Sequence, residues 1–314
     1  MDFLYAILGL VILLLAGDAL VRGAVNLALR LGIPALIVSL TIVAFGTSAP
    51  ELLISIDAVI ENAPGIALGN VVGSNIANIL LVLGIPALMK GLQTGGHDTQ
   101  RSYLFMMAAS LFFVALCFFG PLTWVHGVVL LIALAAILFD QAREVLSHRR
   151  DAALNGVEGL EDADPGLPWW RILMFLGLGL IGLPMGADLL VDAGVNIART
   201  YGVSDAVIGL TLIAVGTSLP ELATTVMACL RNKADVALGN VIGSNMFNLL
   251  AIIGVASLFG NIPVAPQFLS FDLWIMLGAS VLLAPFVFRN INMTRPVGVA
   301  LTALYIVYLL FILT

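Results

Sequence analysis

Residues Thr41–Gly84 and Thr211–Gly254 align without a gap at an offset of 170 residues, and 21 of the 44 pairs are identical. The identity concentrates in two blocks per copy. The first reads TIVAFGTSAPEL (Thr41–Leu52) and TLIAVGTSLPEL (Thr211–Leu222); the second reads ALGNVVGSNIAN (Ala67–Asn78) and ALGNVIGSNMFN (Ala237–Asn248). The register extends upstream, where Asp18 matches Asp188, Asn26 matches Asn196 and Gly32 matches Gly202. All four blocks lie inside long apolar stretches. A duplicated chain that repeats its polar residues within apolar runs is expected to bury them in a helical assembly surrounded by lipid.

Composition agrees with that environment. Hydrophobic residues make up 61% of the 314 and charged residues only 10%, against roughly a quarter in soluble domains. Mean hydropathy is +1.11. So few charges cannot clothe a water-exposed surface, which excludes a soluble enzyme and a disordered chain. The net charge of −6 offers no basic patch for nucleic acid. Cys117 and Cys229 lie in separate apolar runs and form no CxxC pair, so neither a metal site nor a disulfide framework is expected.

About 20 apolar residues cross a bilayer. Windows of that size predict ten spans, near Phe3–Val21, Ile37–Ile60, Ile66–Met89, Tyr103–Phe119, Leu122–Phe139, Trp170–Val195, Ala206–Leu230, Val236–Leu258, Phe268–Phe288 and Val297–Leu313. The first is read as a span rather than a signal peptide, because no Lys or Arg precedes it and no small-residue cleavage site follows. Twelve of the 13 Lys and Arg residues lie in or flank odd-numbered loops, and only Arg199 falls on the other side. Basic loops stay in the cytoplasm, so both termini are expected outside.

The polar stretch 140–168 reads as a cytoplasmic linker. Its acids Glu158, Glu161, Asp162 and Asp164 lack the ligand spacing of an EF-hand, and a solvated linker is the simpler reading. The expected organisation is a first half over 1–139, the linker, and a second half over 169–314. The repeats cover about 34–89 and 204–259. Five spans per half is an odd number, so the second half enters from the opposite face. The predicted fold is therefore all-α and integral to the membrane, with ten transmembrane helices in two inverted-topology five-helix repeats, an architecture common among secondary transporters.

The blocks also predict a site. Pro50 has no N–H to offer the Gly46 carbonyl, so the helix should break between those residues; Gly216 and Pro220 repeat the arrangement. Freed carbonyls then lie beside Thr47, Ser48 and Glu51, and beside Thr217, Ser218 and Glu221. These are hard oxygen ligands, suited to Na+ or Ca2+. An intramembrane carboxylate costs a few kcal/mol or more unless paired. No Lys or Arg lies in either block, so a bound cation is a more economical partner than a buried base or a proton. Asn70, Ser74 and Asn78 follow at helical spacing, as do Asn240, Ser244 and Asn248. Gly69, Gly73, Gly239 and Gly243 allow close helix approach.

Other polar residues are less informative. Asp18 has Arg22 one turn on and reads as a structural pair; Asp57 and Glu61 lie near a span end. His97, His126 and His148 show no metal spacing, and no nucleophile motif is present, so an enzyme is not expected.

The paired GTSAPE/GNVVGSN and GTSLPE/GNVIGSN motifs resemble the two α-repeats of the sodium/calcium exchanger family, within the cation/calcium antiporter superfamily. Span count, repeat spacing and central linker fit as well, so the likeness covers the whole chain. The resemblance implies an antiporter that extrudes Ca2+ in exchange for entering Na+ by alternating access, in a prokaryotic inner membrane. No cofactor, nucleic acid or obligatory protein partner is implied; the ions are substrates and the bilayer is the surroundings. It implies Glu51 and Glu221 as carboxylates shared by Ca2+ and Na+, with main-chain oxygens of Thr47 and Thr217 joining the Ca2+ site. Ala44 and Ala214 would lend carbonyls to flanking Na+ sites, and Ser48, Ser74, Ser218 and Ser244 hydroxyls. Asn78 and Asn248 would complete the centre, and the first and sixth helices would slide across it. Some relatives carry Asp at the position of Asn248, so Asn in both halves disfavours potassium dependence. The alternatives are a Ca2+/H+ antiporter using the same glutamates, disfavoured because no Glu follows the Gly-Asn pairs, and, from a different class, a cation channel.

Overall fold

The structure is a computed structural model that describes residues 1–94, 99–155, 166–202, 214–289 and 291–313. The described residues are helical, apart from turns and two isolated antiparallel bridges, Leu92–Met293 and Leu122–Ile262. Thr211, His97 and the linker acids Glu158, Glu161, Asp162 and Asp164 lie outside them.

Among the described residues eight helices are long and apolar enough to cross a membrane, and the pair Ala35–Thr47 and Ala49–Ile60 meets the same length and composition only when taken together across its bend. Leu219–Leu230 is a shorter apolar helix. The observed helices mostly overrun their hydropathy windows: the first runs Asp2–Leu31, and Trp124–Asn155 continues well into the stretch expected to be linker. Hydropathy marks where lipid begins and ends, not where helical hydrogen bonding stops, so polar turns extend beyond it.

The first helix packs lengthwise on Trp169–Thr200, and glycines set the distance. A Cβ on Gly9 would lie 2.7 Å from the backbone nitrogen of Leu190, and one on Gly186 would lie 2.8 Å from that of Leu13. Such contacts replace the hydrophobic drive that lipid cannot supply. The centre is built from Pro64–Met89 and Ala234–Phe259, the most enclosed spans, 83% and 89% buried. At the offset of 170 residues, Ala49–Ile60 corresponds to Leu219–Leu230. The π-helical turn Asn78–Val82 likewise corresponds to Asn248–Ile252.

Turns that carry basic residues lie against one another on one face. Lys90 donates to Asn232 Oδ1 at 2.7 Å, Arg30 to the Leu167 carbonyl at 2.8 Å, and Arg101 pairs with Asp140. Leu92 and Met293 join the same face through reciprocal backbone bonds of 2.8 and 2.9 Å. On the opposite face Leu122 and Ile262 do likewise. Asp18 pairs with Arg22 as expected, at 3.0 Å, and also with Arg231 at 2.5 Å. Cys117 and Cys229 are both buried and free.

Candidate functional site

The break falls where proline requires it. The helix bends by 43° at Ser48, whose φ and ψ are −86° and 5°. Ser218 repeats the geometry at −90° and 5°. A new helix starts after each break, with Pro near its first position, where a missing N–H costs nothing. Glu51 and Glu221 therefore stand in the first turn of a half-helix, next to its positive end. Each is 1% exposed.

The two halves interlock at this point. Ser48 donates to Glu221 Oε1 at 3.0 Å, and Ser244 to the same oxygen at 3.4 Å. Thr47 donates to Asn240 Oδ1 at 3.3 Å, and Asn78 to Asn245 Oδ1 at 3.0 Å. Two amides brace the acids from behind in matching fashion. Asn70 donates to the Glu51 carbonyl at 3.2 Å and to Ser55 at 3.1 Å. Asn240 donates to the Glu221 carbonyl at 3.3 Å and to Thr225 at 3.1 Å. The Ala44 carbonyl accepts from the Ser48 N–H at 3.0 Å and the Thr47 hydroxyl at 3.3 Å. Ala214 opens the short helix Ala214–Gly216, and Thr217 is half-buried beside the break.

Buried polar atoms are nearly always paired. Among the described residues nine buried side-chain polar atoms have no hydrogen-bond partner, and six of them belong to this site: Glu51 Oε2, Asn78 Oδ1, Ser218 Oγ, Glu221 Oε2, and both Oδ1 and Nδ2 of Asn248. Five of the six are oxygens. No three His, Cys, Asp or Glu side chains cluster among the described residues. The donor set is oxygen-rich and carries two acids, which suits hard cations rather than transition metals.

Access is asymmetric. Gly239 and Gly243 are packed hard against the broken span: a Cβ would come 2.8 Å from the Leu36 carbonyl oxygen and 2.5 Å from that of Leu40. Their counterparts face open space. Gly73 would meet nothing within 4 Å, and Gly69 only the Phe268 ring at 3.8 Å. A cavity of about 460 Å³ opens there, reaching Asn70, Ser74 and Thr217 at the site.

Of the residues predicted from sequence, the structure joins Ser48, Glu221 and Ser244 directly, and gathers the unpartnered atoms of Glu51, Asn78, Ser218 and Asn248 among the same elements. Ser74 and Thr217 line the cavity. Two pairs were missed. Asn75 and Asn245 lie in the repeated GSN triplet, and identity at the common offset marks them. Ser55 and Thr225 keep a hydroxyl in both copies without being identical.

The sequence profile described as "Sodium/calcium exchanger protein" matches residues 1–141 and 171–314. The chain is 35% identical to the sodium/calcium exchanger MaX1 of Methanosarcina acetivorans, covering 98% of this chain and 97% of that one. It is 34% identical to the inner membrane protein YrbG of Escherichia coli, over 96% and 94% of the two chains. Among solved structures, the sodium-calcium exchanger NCX_Mj soaked with Na+ and Sr2+ superposes with a TM-score of 0.79 at 35% identity, over 98% of this chain and 97% of that chain.

Proposed function

The chain belongs to the sodium/calcium exchanger family, and from that premise we propose that it extrudes Ca2+ in exchange for Na+ across a prokaryotic inner membrane. It is a multi-span transporter of the cation/calcium antiport class. The observation that carries the finer reading is the set of unpartnered buried atoms, most of which belong to the duplicated blocks.

Glu51 and Glu221 hold the transported ion. Two carboxylates neutralise one Ca2+ or two Na+, and neutral oxygens complete the shell. Those oxygens come from Asn78, Asn248, the Thr47 and Thr217 main chain, and the hydroxyls of Ser48, Ser74, Ser218 and Ser244. For Ala44 to lend its carbonyl to a flanking Na+, the Thr47 hydroxyl that now donates to it must turn away. Ala214 takes the equivalent part in the other half.

The proposed frame is ten crossings in two inverted halves, 1–139 and 169–314, joined by the 140–168 linker. The pairing of basic turns with one another supports it. Leu167 and Lys90 lie beside the turn that holds Arg231, which supports an even number of crossings between Trp169 and Leu230, as two spans there would give. Basic residues favour the cytoplasmic side, so in this frame that face is cytoplasmic and both termini lie outside. The cavity lined by Ile66 and Gln267 then opens to the exterior. Closing it while the opposite side opens gives alternating access, with Asp2–Leu31 and Trp169–Thr200 sliding as a pair.

The test is Ca2+ flux in proteoliposomes under an imposed Na+ gradient at clamped pH. Uptake that requires Na+ on the opposite side supports the reading. Uptake that follows only a pH gradient indicates Ca2+/H+ exchange, and flux without any countergradient indicates a channel.

A further inference from the structure

Asp272 ends the π-helical turn Phe268–Asp272 at the start of the Phe268–Phe288 span. It is 5% exposed, and that exposure lies on the cavity whose inner wall is Asn70, Ser74 and Thr217. No Lys or Arg lines the cavity among the described residues. The Tyr308 hydroxyl donates to Asp272 Oδ1 at 3.5 Å, the weak limit of a hydrogen bond. The acid is not a relic of duplication, because the position 170 residues earlier is Ser102. A carboxylate within a span is costly, and that cost falls where the group faces a water-filled path rather than lipid. In such a path it concentrates cations, because low-dielectric walls focus its field.

We propose that Asp272 is a staging site for the incoming cation: it takes Ca2+ or Na+ at the mouth of the cavity and passes it inward to Glu51 and Glu221, with Tyr308 orienting the carboxylate. The proposal rests on the antiport reading above and adds a binding residue outside the repeated blocks.

The Asp272→Asn variant keeps the side chain's shape and an acceptor for Tyr308 but removes the charge. Radiolabelled Ca2+ uptake, measured separately from each face in oriented proteoliposomes, should show the KM on the cavity face raised about tenfold at low ionic strength. The shift should shrink as salt is added. The maximal rate and the KM on the opposite face should stay as they are. Tyr308→Phe removes the hydrogen bond and keeps the charge, so it should move the KM much less than D272N does. A purely structural Asp272 would give the reverse order, with no difference between faces, and would overturn the proposal. If D272N does not fold, the salt dependence of the unaltered chain decides: a cavity-face KM that rises with ionic strength more than the opposite-face KM supports staging, and equal dependence overturns it. Normal exchange by the unaltered chain with an unchanged KM in D272N sinks the staging role alone. Absence of Na+-coupled exchange in the unaltered chain sinks the functional reading and this role together.

Discussion

The hydroxyl of Ser48 donates to Oε1 of Glu221 at 3.0 Å across 173 residues of sequence. The first half thus supplies a hydroxyl to the acid of the second, and the proposed site draws on both halves. A hydrogen bond to a charged group contributes about 1.5–3 kcal/mol. Removing it by Ser48→Ala also deletes a hydroxyl assigned to a flanking Na+ site. Losing that Na+–oxygen contact is expected to raise the Na+ concentration for half-maximal Ca2+ efflux about tenfold, about 1.4 kcal/mol. The Ca2+ requirement, set by two carboxylates, should change far less. Na+ and Ca2+ titrations of flux in the same vesicles check the split.

A second prediction uses the unequal surroundings of equivalent glycines. A Cβ on Gly243 would stand 2.5 Å from a backbone carbonyl oxygen, which cannot step aside, whereas one on Gly73 meets nothing within 4 Å. Gly243→Ala should lose about 1–3 kcal/mol of stability by overpacking, visible as a lower Tm in detergent. Gly73→Ala should keep its Tm. It should nonetheless slow transport, because closing the cavity brings Gly73 against a partner as Gly243 already has one.

The same contrast shows what sequence can and cannot carry. The break at Ser48 and the oxygens around it were readable, because proline's missing N–H and a carboxylate in an apolar run have local physical consequences. The open side was not readable: GNVVGSN and GNVIGSN are nearly one sequence, yet one copy faces a cavity and the other is packed. Which side stands open is a property of the assembled halves. The π-helical turns at Asn78–Val82 and Asn248–Ile252 were also hidden, since NILLV and NLLAI read as ordinary apolar helix. Arg22 beside Asp18 was visible as an i, i+4 pair, whereas Arg231, 213 residues away, was not.

Charge counting gives a third prediction. With Asn at 78 and 248, the centre holds at most the two negative charges of Glu51 and Glu221. A third Na+, held by neutral oxygens, leaves one excess positive charge on the Na+-loaded form. Exchange of three Na+ for one Ca2+ then moves one net charge per cycle, and the membrane potential supplies about 2.3 kcal/mol per charge per 100 mV. Valinomycin-clamped potentials should therefore change both the rate and the end point of Na+-driven Ca2+ flux. Independence from voltage would indicate exchange of two for one.

The most direct measurement is Na+-driven Ca2+ uptake by Glu51→Gln and Glu221→Gln, each reconstituted after a monodisperse elution profile has shown it folded. Glutamine keeps the shape and one oxygen of each side chain but removes the charge that offsets Ca2+ dehydration. The account predicts that either substitution alone abolishes Ca2+ transport. Near-normal uptake by either variant would contradict a site built on two shared carboxylates.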